Sequence, residues 1–117
     1  MIEELVGRVF AARNIAHLQH LTTTSYAQHK HLGDFYEDVV KALDELVECY
    51  QGQLAPLGDV EIMTPEVGDI AAYLREEGDW IESNRDEIAG DSQSVASLVD
   101  ALVCVYTRTV YKLERLQ

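Results

Sequence analysis

The chain has 117 residues, 47% hydrophobic and 26% charged, a balance that fits one globular domain with a core of its own and argues against disorder. Twenty-one acidic residues against nine basic ones give a formal net charge of −12; with no basic patch to neutralise phosphates, direct nucleic-acid binding is disfavoured. No apolar run reaches the length of a membrane span, and the start Met1-Ile2-Glu3-Glu4 lacks a signal peptide's basic region, so no membrane association and a cytoplasmic location are expected.

Four apolar-periodic segments follow one another along the chain. In the first, about 2–21, Val6, Phe10, His17 and Leu21 share one face, flanked by Ile2, Val9 and Arg13. Thr22-Thr23-Thr24 then lowers helix propensity through β-branching. Ser25-Tyr26-Ala27-Gln28 reads as a capping box, in which Ser25 caps a new helix and Gln28 returns the bond. The second helix, about 26–51, carries Leu32, Phe35, Tyr36, Val39, Leu43, Leu46, Val47 and Tyr50 as a broad core stripe, and Gly52 is its expected stop. Gln53 to Met63, with Pro56 and Gly58, reads as a connection. Thr64-Pro65-Glu66 has the form of a helix start, giving a third helix over about 65–89 that buries Val67, Ile70, Ala71, Leu74, Ile81 and Ile88. Gly90 closes it, and Asp91 or Ser92 caps a fourth helix, about 92–116, with Val95, Leu98, Val99, Leu102, Tyr106, Val110 and Leu113 on one face. Cys49 and Cys104 have no CxxC spacing and are expected as free thiols filling space.

Four helices with two short turns and one longer middle connection predict an all-α four-helix bundle in one domain, 1–117. A pair, a long connection and a second pair is the ferritin-like layout. The alternative is an up-down-up-down bundle with an ordinary long loop.

Within this frame His17, His29, Asp44 and Glu48 are candidate metal ligands. A short turn sets the first two helices antiparallel, which can bring His17 and His29 together near it. Asp44 and Glu48 are four apart and share a face of the second helix. Asp44, however, lies fifteen residues beyond His29, about 22 Å at 1.5 Å per residue, whereas a metal–ligand bond spans about 2 Å. One chain cannot bring the four together, but a twofold axis can. On the helical wheel His29, Gly33, Glu37, Val40, Asp44 and Glu48 form a second stripe, and pairing this helix with its twin sets His29 of one copy beside Asp44 and Glu48 of the other. The axis would pass near Glu37, a weaker candidate ligand, and Gly33 would allow close approach. Imidazole plus carboxylate suits Fe(II), Zn or Mn, and open positions suit Fe(II) oxidation by O₂ or peroxide. His20 and His31, near the same turn, are auxiliary candidates. The same residues have plain structural readings: a lone His on an apolar face is more often a packed core residue, and Asp44 and Glu48 can be solvated charges of an acidic helix.

The spacing His17-x11-His29-x14-Asp44-x3-Glu48 resembles the intersubunit ferroxidase signature of the Dps miniferritins. His29-Lys30-His31-Leu32-Gly33-Asp34-Phe35-Tyr36 and Leu43-Asp44-Glu45-Leu46-Val47-Glu48 resemble that family's second-helix pattern and its acidic ending. The stretch Ser25-Tyr26-Ala27-Gln28-His29 is also similar to short ferritin-like proteins encoded by bacteriophages, for which host cytoplasm or virion would be the location. The resemblance covers roughly residues 17–52. It implies a homodimer as the minimal unit, a higher homo-oligomeric cage with iron storage, and His17 and His29 from one subunit completed by Asp44 and Glu48 from the other. Two positions depart from the family: Gly33 stands where an Asp is usual, with Asp34 next to it as a weaker candidate, and Leu18 stands where a Trp is usual, with Trp80 elsewhere in the chain. The competing expectations are a non-enzymatic structural or interaction bundle of the phage type, and an acidic DNA mimic suggested by charge alone.

Overall fold

Three polar side chains decide where the long helices after the first one begin. Ser25 Oγ accepts from the Gln28 amide at 3.2 Å, Asp69 Oδ2 from the Ala72 amide at 2.9 Å, and Ser92 Oγ from the Val95 amide at 3.1 Å. Each satisfies one amide that the first turn of a helix leaves without a partner. In the computed structural model, which describes all residues 1–117, the chain is all-α. Its elements are α1 (Ile2–Thr22), α2 (Tyr26–Gln53), α3 (Ile70–Ser83), the short α4 (Arg85–Ala89) and α5 (Gln93–Arg115). No helix is long and apolar enough to cross a membrane.

The third helix departs from expectation at both ends. Thr64, Pro65 and Glu66 belong to the connection, and the helix begins at Ile70 behind the Asp69 cap. Two physical reasons favour the later start. Gly68 weakens any helix that includes it, and the connection has to climb a molecule 43 Å long. Extended chain covers about 3.3 Å per residue against about 1.5 Å in a helix. The same helix breaks at Asn84, whose side-chain amide donates to the Trp80 carbonyl at 2.7 Å while its backbone amide is shared between the Trp80 and Ile81 carbonyls. A side chain competing for helix carbonyls ends the helix there. At Gly90 the chain takes a positive φ of 56° before Ser92 starts α5.

Two contacts at different positions along each pair fix the helix directions. Gln19 meets Gln28 and His17 meets Tyr36, so α1 and α2 are antiparallel. His31 reaches Leu116 while Gln53 reaches Ser92, so α2 and α5 are antiparallel. Arg75 pairs with Glu114 and Arg85 with Asp100, so the α3–α4 segment also runs against α5. It follows that α2 and α3 point the same way and that the connection 54–69 crosses from one end of the molecule towards the other. It does so against α1. The Gly58 amide donates to Glu3 Oε2 at 2.9 Å, and a Cβ on Gly7 would lie 2.1 Å from the Glu61 carbonyl oxygen. Only glycine fits α1 under that strand of backbone.

The core is one cluster contributed by all five helices: Leu5 and Val9 of α1, Leu32, Phe35 and Leu43 of α2, Leu74 and Ile81 of α3, Ile88 of α4, and Val99, Leu102 and Tyr106 of α5. In α1 the core side is Ile2, Leu5, Val6, Val9, Ala12 and Ala16. Phe10 and His17 are only half-buried and Leu21 is 65% exposed, so the buried face is rotated from the expected one; in the second half of α1 it is carried by the small residues Ala12 and Ala16. Cys49 is half-buried, whereas Cys104 is exposed and fills no space.

Between α1, α3 and α5 lies a second, polar layer. Arg8 Nη1 donates to Glu77 at 2.9 Å, and the Arg8 guanidinium sits 4.1 Å from the Trp80 ring. Burial pushes the Glu77 carboxyl above the usual carboxylate range against the opposing pull of Arg8. Burial also pushes the Tyr73 hydroxyl up to about 12, with the Glu77 charge adding to the effect. Burial also raises the Tyr106 hydroxyl well above its ordinary value, and neither hydroxyl has a hydrogen-bond partner.

Candidate metal-binding site

The α1–α2 turn gathers imidazoles. The Ser25 cap orients the first turn of α2, and the Ser25 amide donates to Thr23 Oγ1 at 3.1 Å. Gln28 does not return a bond to Ser25; its Oε1 accepts from Gln19 Nε2 at 3.1 Å and so ties α2 to α1. Only half of the expected capping box forms.

The ring that meets His29 is His20. Their centroids are 3.8 Å apart with planes 15° from parallel. His20 Nδ1 lies 2.6 Å from the His29 carbonyl oxygen, and His29 Nδ1 lies 2.7 Å from the His20 carbonyl oxygen. A carbonyl oxygen only accepts, so each Nδ1 carries its hydrogen, and in the neutral rings each Nε2 holds the lone pair a metal ion needs. Stacking limits what the pair can do together. An imidazole binds an ion close to its own ring plane, and two nearly parallel planes this far apart share no such position. In this arrangement His20 and His29 do not chelate one ion between them.

Gly33 leaves room for the stack. A Cβ there would stand 3.0 Å from His20 Cε1 and 3.2 Å from His20 Nδ1. The missing side chain, expected to ease the approach of a second copy, already accommodates a ring of the same chain. His17 lies one turn back along α1 and stacks on Tyr36, centroids 4.0 Å apart and planes within 11°. Arg13 covers Tyr36 with its guanidinium 5.3 Å from the ring centroid. His17 and His20 are 6.1 Å apart, centroid to centroid.

The carboxylates are elsewhere. Asp44 and Glu48 are exposed on α2, as is Glu37 between them and the turn. His29 and Asp44 are separated by about 22 Å of helix, at about 1.5 Å per residue. Asp34 pairs with Lys30 at 3.3 Å, and His31 Nε2 lies 2.9 Å from the carbonyl oxygen of Leu116, the residue after α5. No three His, Cys, Asp or Glu side chains come together within one chain in a way that holds a metal ion. Trp80 lies beside Arg8, and Arg8 is about 13 Å along α1 from His17.

What the residues offer is therefore divided. One end of α2 presents an oriented imidazole with a free Nε2. The same helix presents two exposed carboxylates far from it. Tyr36, which stacks on His17, and Gln19, which ties α1 to α2 through Gln28, were not among the expected site residues.

The model of a family of unknown function, DUF5856, matches residues 20–113, and the chain belongs to that family. No curated protein and no solved structure matches the chain.

Proposed function

We propose that this protein is a ferritin-like, Dps-related four-helix bundle that binds Fe(II) as its substrate at sites shared between two subunits. The observation that carries the reading is the pair of reciprocal Nδ1–carbonyl bonds, which leave His29 Nε2 as a lone-pair donor. A metal-binding imidazole ordinarily has its other nitrogen held in this way. Two further features support it. The connection 54–69 crosses over so that α2 and α3 are parallel, the ferritin-like alternative of the two layouts considered. Asp44 and Glu48 remain exposed, available to a second copy packed antiparallel along α2.

In such a pair, His17 and His29 of one subunit would face Asp44 and Glu48 of the partner subunit, with Glu37 near the axis. An acidic surface draws the cation in. The imidazole and carboxylates hold it, with Zn or Mn as competitors for the same donors. Each Fe(II) gives one electron to O₂ or peroxide, and no side chain acts as a nucleophile. Storage of the oxidised iron in a homo-oligomeric cage would follow from further assembly. Anaerobic Fe(II) titration followed by O₂ tests the reading. Saturable binding and oxidation are expected, abolished by His29→Ala or Asp44→Ala. Wild-type protein that takes up no Fe(II) overturns it.

One observation favours a second reading, a structural or interaction bundle without turnover. The His20–His29 and His17–Tyr36 stacks are themselves a clamp on the α1–α2 hairpin and need no metal. On that reading His29→Ala lowers stability and changes nothing in metal binding.

A further inference from the structure

We infer that His20 is the positioning residue for His29, and that Gly33 is what admits it. The inference rests on the reading of His29 as a ligand and adds how that ligand is selected. A neutral imidazole has two tautomers, and only the one protonated at Nδ1 presents Nε2 to an ion. The His20 backbone carbonyl takes the Nδ1 hydrogen of His29, and the His20 ring returns the bond to the His29 carbonyl while stacking on the His29 face. Each half constrains the other. The His29 ring is gripped on one face and along its Nδ1 edge, and its Nε2 edge is the part left for a ligand.

The same stack keeps His20 off the ion that His29 binds, because the two ring planes do not converge. His20 therefore acts through His29 and is not itself a ligand of that ion. The grip depends on Gly33. A β-carbon at that position stands 3.0 Å from His20 Cε1 and 3.2 Å from His20 Nδ1, so the ring must give by a few tenths of an ångström, enough to disturb its bond to the His29 carbonyl.

The test uses the full chain labelled with ¹⁵N, at about pH 8, above the ordinary imidazole value. Long-range ¹H–¹⁵N spectra report the tautomer of His29 without metal, and calorimetry with Zn(II) alone, a redox-silent probe, reports affinity. In wild type His29 is expected in the Nδ1–H form. His20→Phe keeps a ring for stacking but removes the returning donor, and Gly33→Ala pushes the ring aside. The residue-20 carbonyl survives in both, but without the returning bond it is no longer held against His29 Nδ1; mixed tautomers and Zn(II) weakened about tenfold are expected, the effect of loosening an outer partner of a ligand. His20→Asn, whose amide nitrogen can take the place of Nδ1, should restore the Nδ1–H form and most of the affinity. Circular dichroism checks that each variant keeps its helices.

A wild-type His29 protonated on Nε2 overturns the inference. So does Zn(II) affinity unchanged in both His20→Phe and Gly33→Ala, and in that case metal binding itself stands. Wild type that binds no Zn(II) overturns the inference together with the metal reading beneath it.

Discussion

Gly7→Ala tests the path of the crossover connection. In an unobstructed helix interior this change stabilises by about 1 kcal/mol, because alanine loses less backbone freedom on folding. At Gly7 the new methyl group would lie 2.1 Å from the Glu61 carbonyl oxygen. An ordinary carbon–oxygen contact is about 3.3 Å or more, so the backbone at Glu61 must retreat by about 1 Å. Forcing a methyl group into packed structure costs about 1–3 kcal/mol. After the helix gain is subtracted, a net loss of up to about 2 kcal/mol remains. For a chain of this size, about 1 kcal/mol moves the thermal midpoint by about 3–5 °C.

Gly52 provides the control. It also lies in a helix, it is exposed, and a Cβ there meets nothing within 4 Å. Gly52→Ala is expected to raise the midpoint slightly while Gly7→Ala lowers it, both read by circular dichroism during thermal and urea unfolding. The reasoning fails if Gly7→Ala stabilises the protein as much as Gly52→Ala. The connection would then not lie on α1 at Gly7, although the helix directions would still require it to cross.

Three other perturbations address the polar layer and the turn. Burial raises the Glu77 carboxyl, so the folded protein keeps that proton over a pH range in which the unfolded chain has released it. Its contribution to stability is complete below the ordinary carboxylate value and declines as pH rises through the raised folded value. Glu77→Gln should remove this part of the pH dependence of unfolding free energy, and Arg8→Met should extend it to higher pH; an identical slope in wild type and Glu77→Gln contradicts the assignment. Tyr106→Phe removes a buried hydroxyl without a partner and should be neutral or stabilising by up to about 1 kcal/mol, whereas Tyr106→Ala should cost about 3–5 kcal/mol. In denaturant unfolding, a loss above 1 kcal/mol in the Phe variant would mean that the hydroxyl has a partner. Ser25→Ala should cost about 1 kcal/mol through loss of the cap, read in the same way, and no change would mean that the cap is dispensable.

Much of the helical content was legible because its signals are local. The α2 stripe of Leu32, Phe35, Val39, Leu43 and Leu46 recurs with the helical period and is buried as a unit. Ser25 and Ser92 sit where caps belong. The misreadings arose where long-range packing overrode a local signal. Thr64-Pro65-Glu66 has the composition of a helix start, yet the connection needs those residues extended to climb the molecule. Asn84 interrupts a segment whose apolar period runs through it to Ile88. In α1 the small residues Ala12 and Ala16 are buried in the core, whereas the large Phe10 and Leu21 lie outside it.

The site divides in the same way. That His29 and Asp44 lie far apart along one helix follows from helix rise alone. That His20, not His17, meets His29 was also open to reading, since both lie equally far from the centre of the Thr24–Ser25 turn, and residues equidistant from such a turn face each other across a hairpin. The function of Gly33 was not open in this way. It depends on the depth at which the His20 ring sits between α1 and α2, which no spacing rule supplies.

The proposal to be tested is that each metal site is completed by residues of two copies of this chain. Anomalous diffraction from crystals grown with Zn(II) or, anaerobically, with Fe(II) tests it most directly. The expected result is one peak per chain, lying between His17 and His29 of one copy and Asp44 and Glu48 of the partner subunit. An ion held wholly within one chain, or no peak at that junction in a metal-saturated crystal, would contradict it.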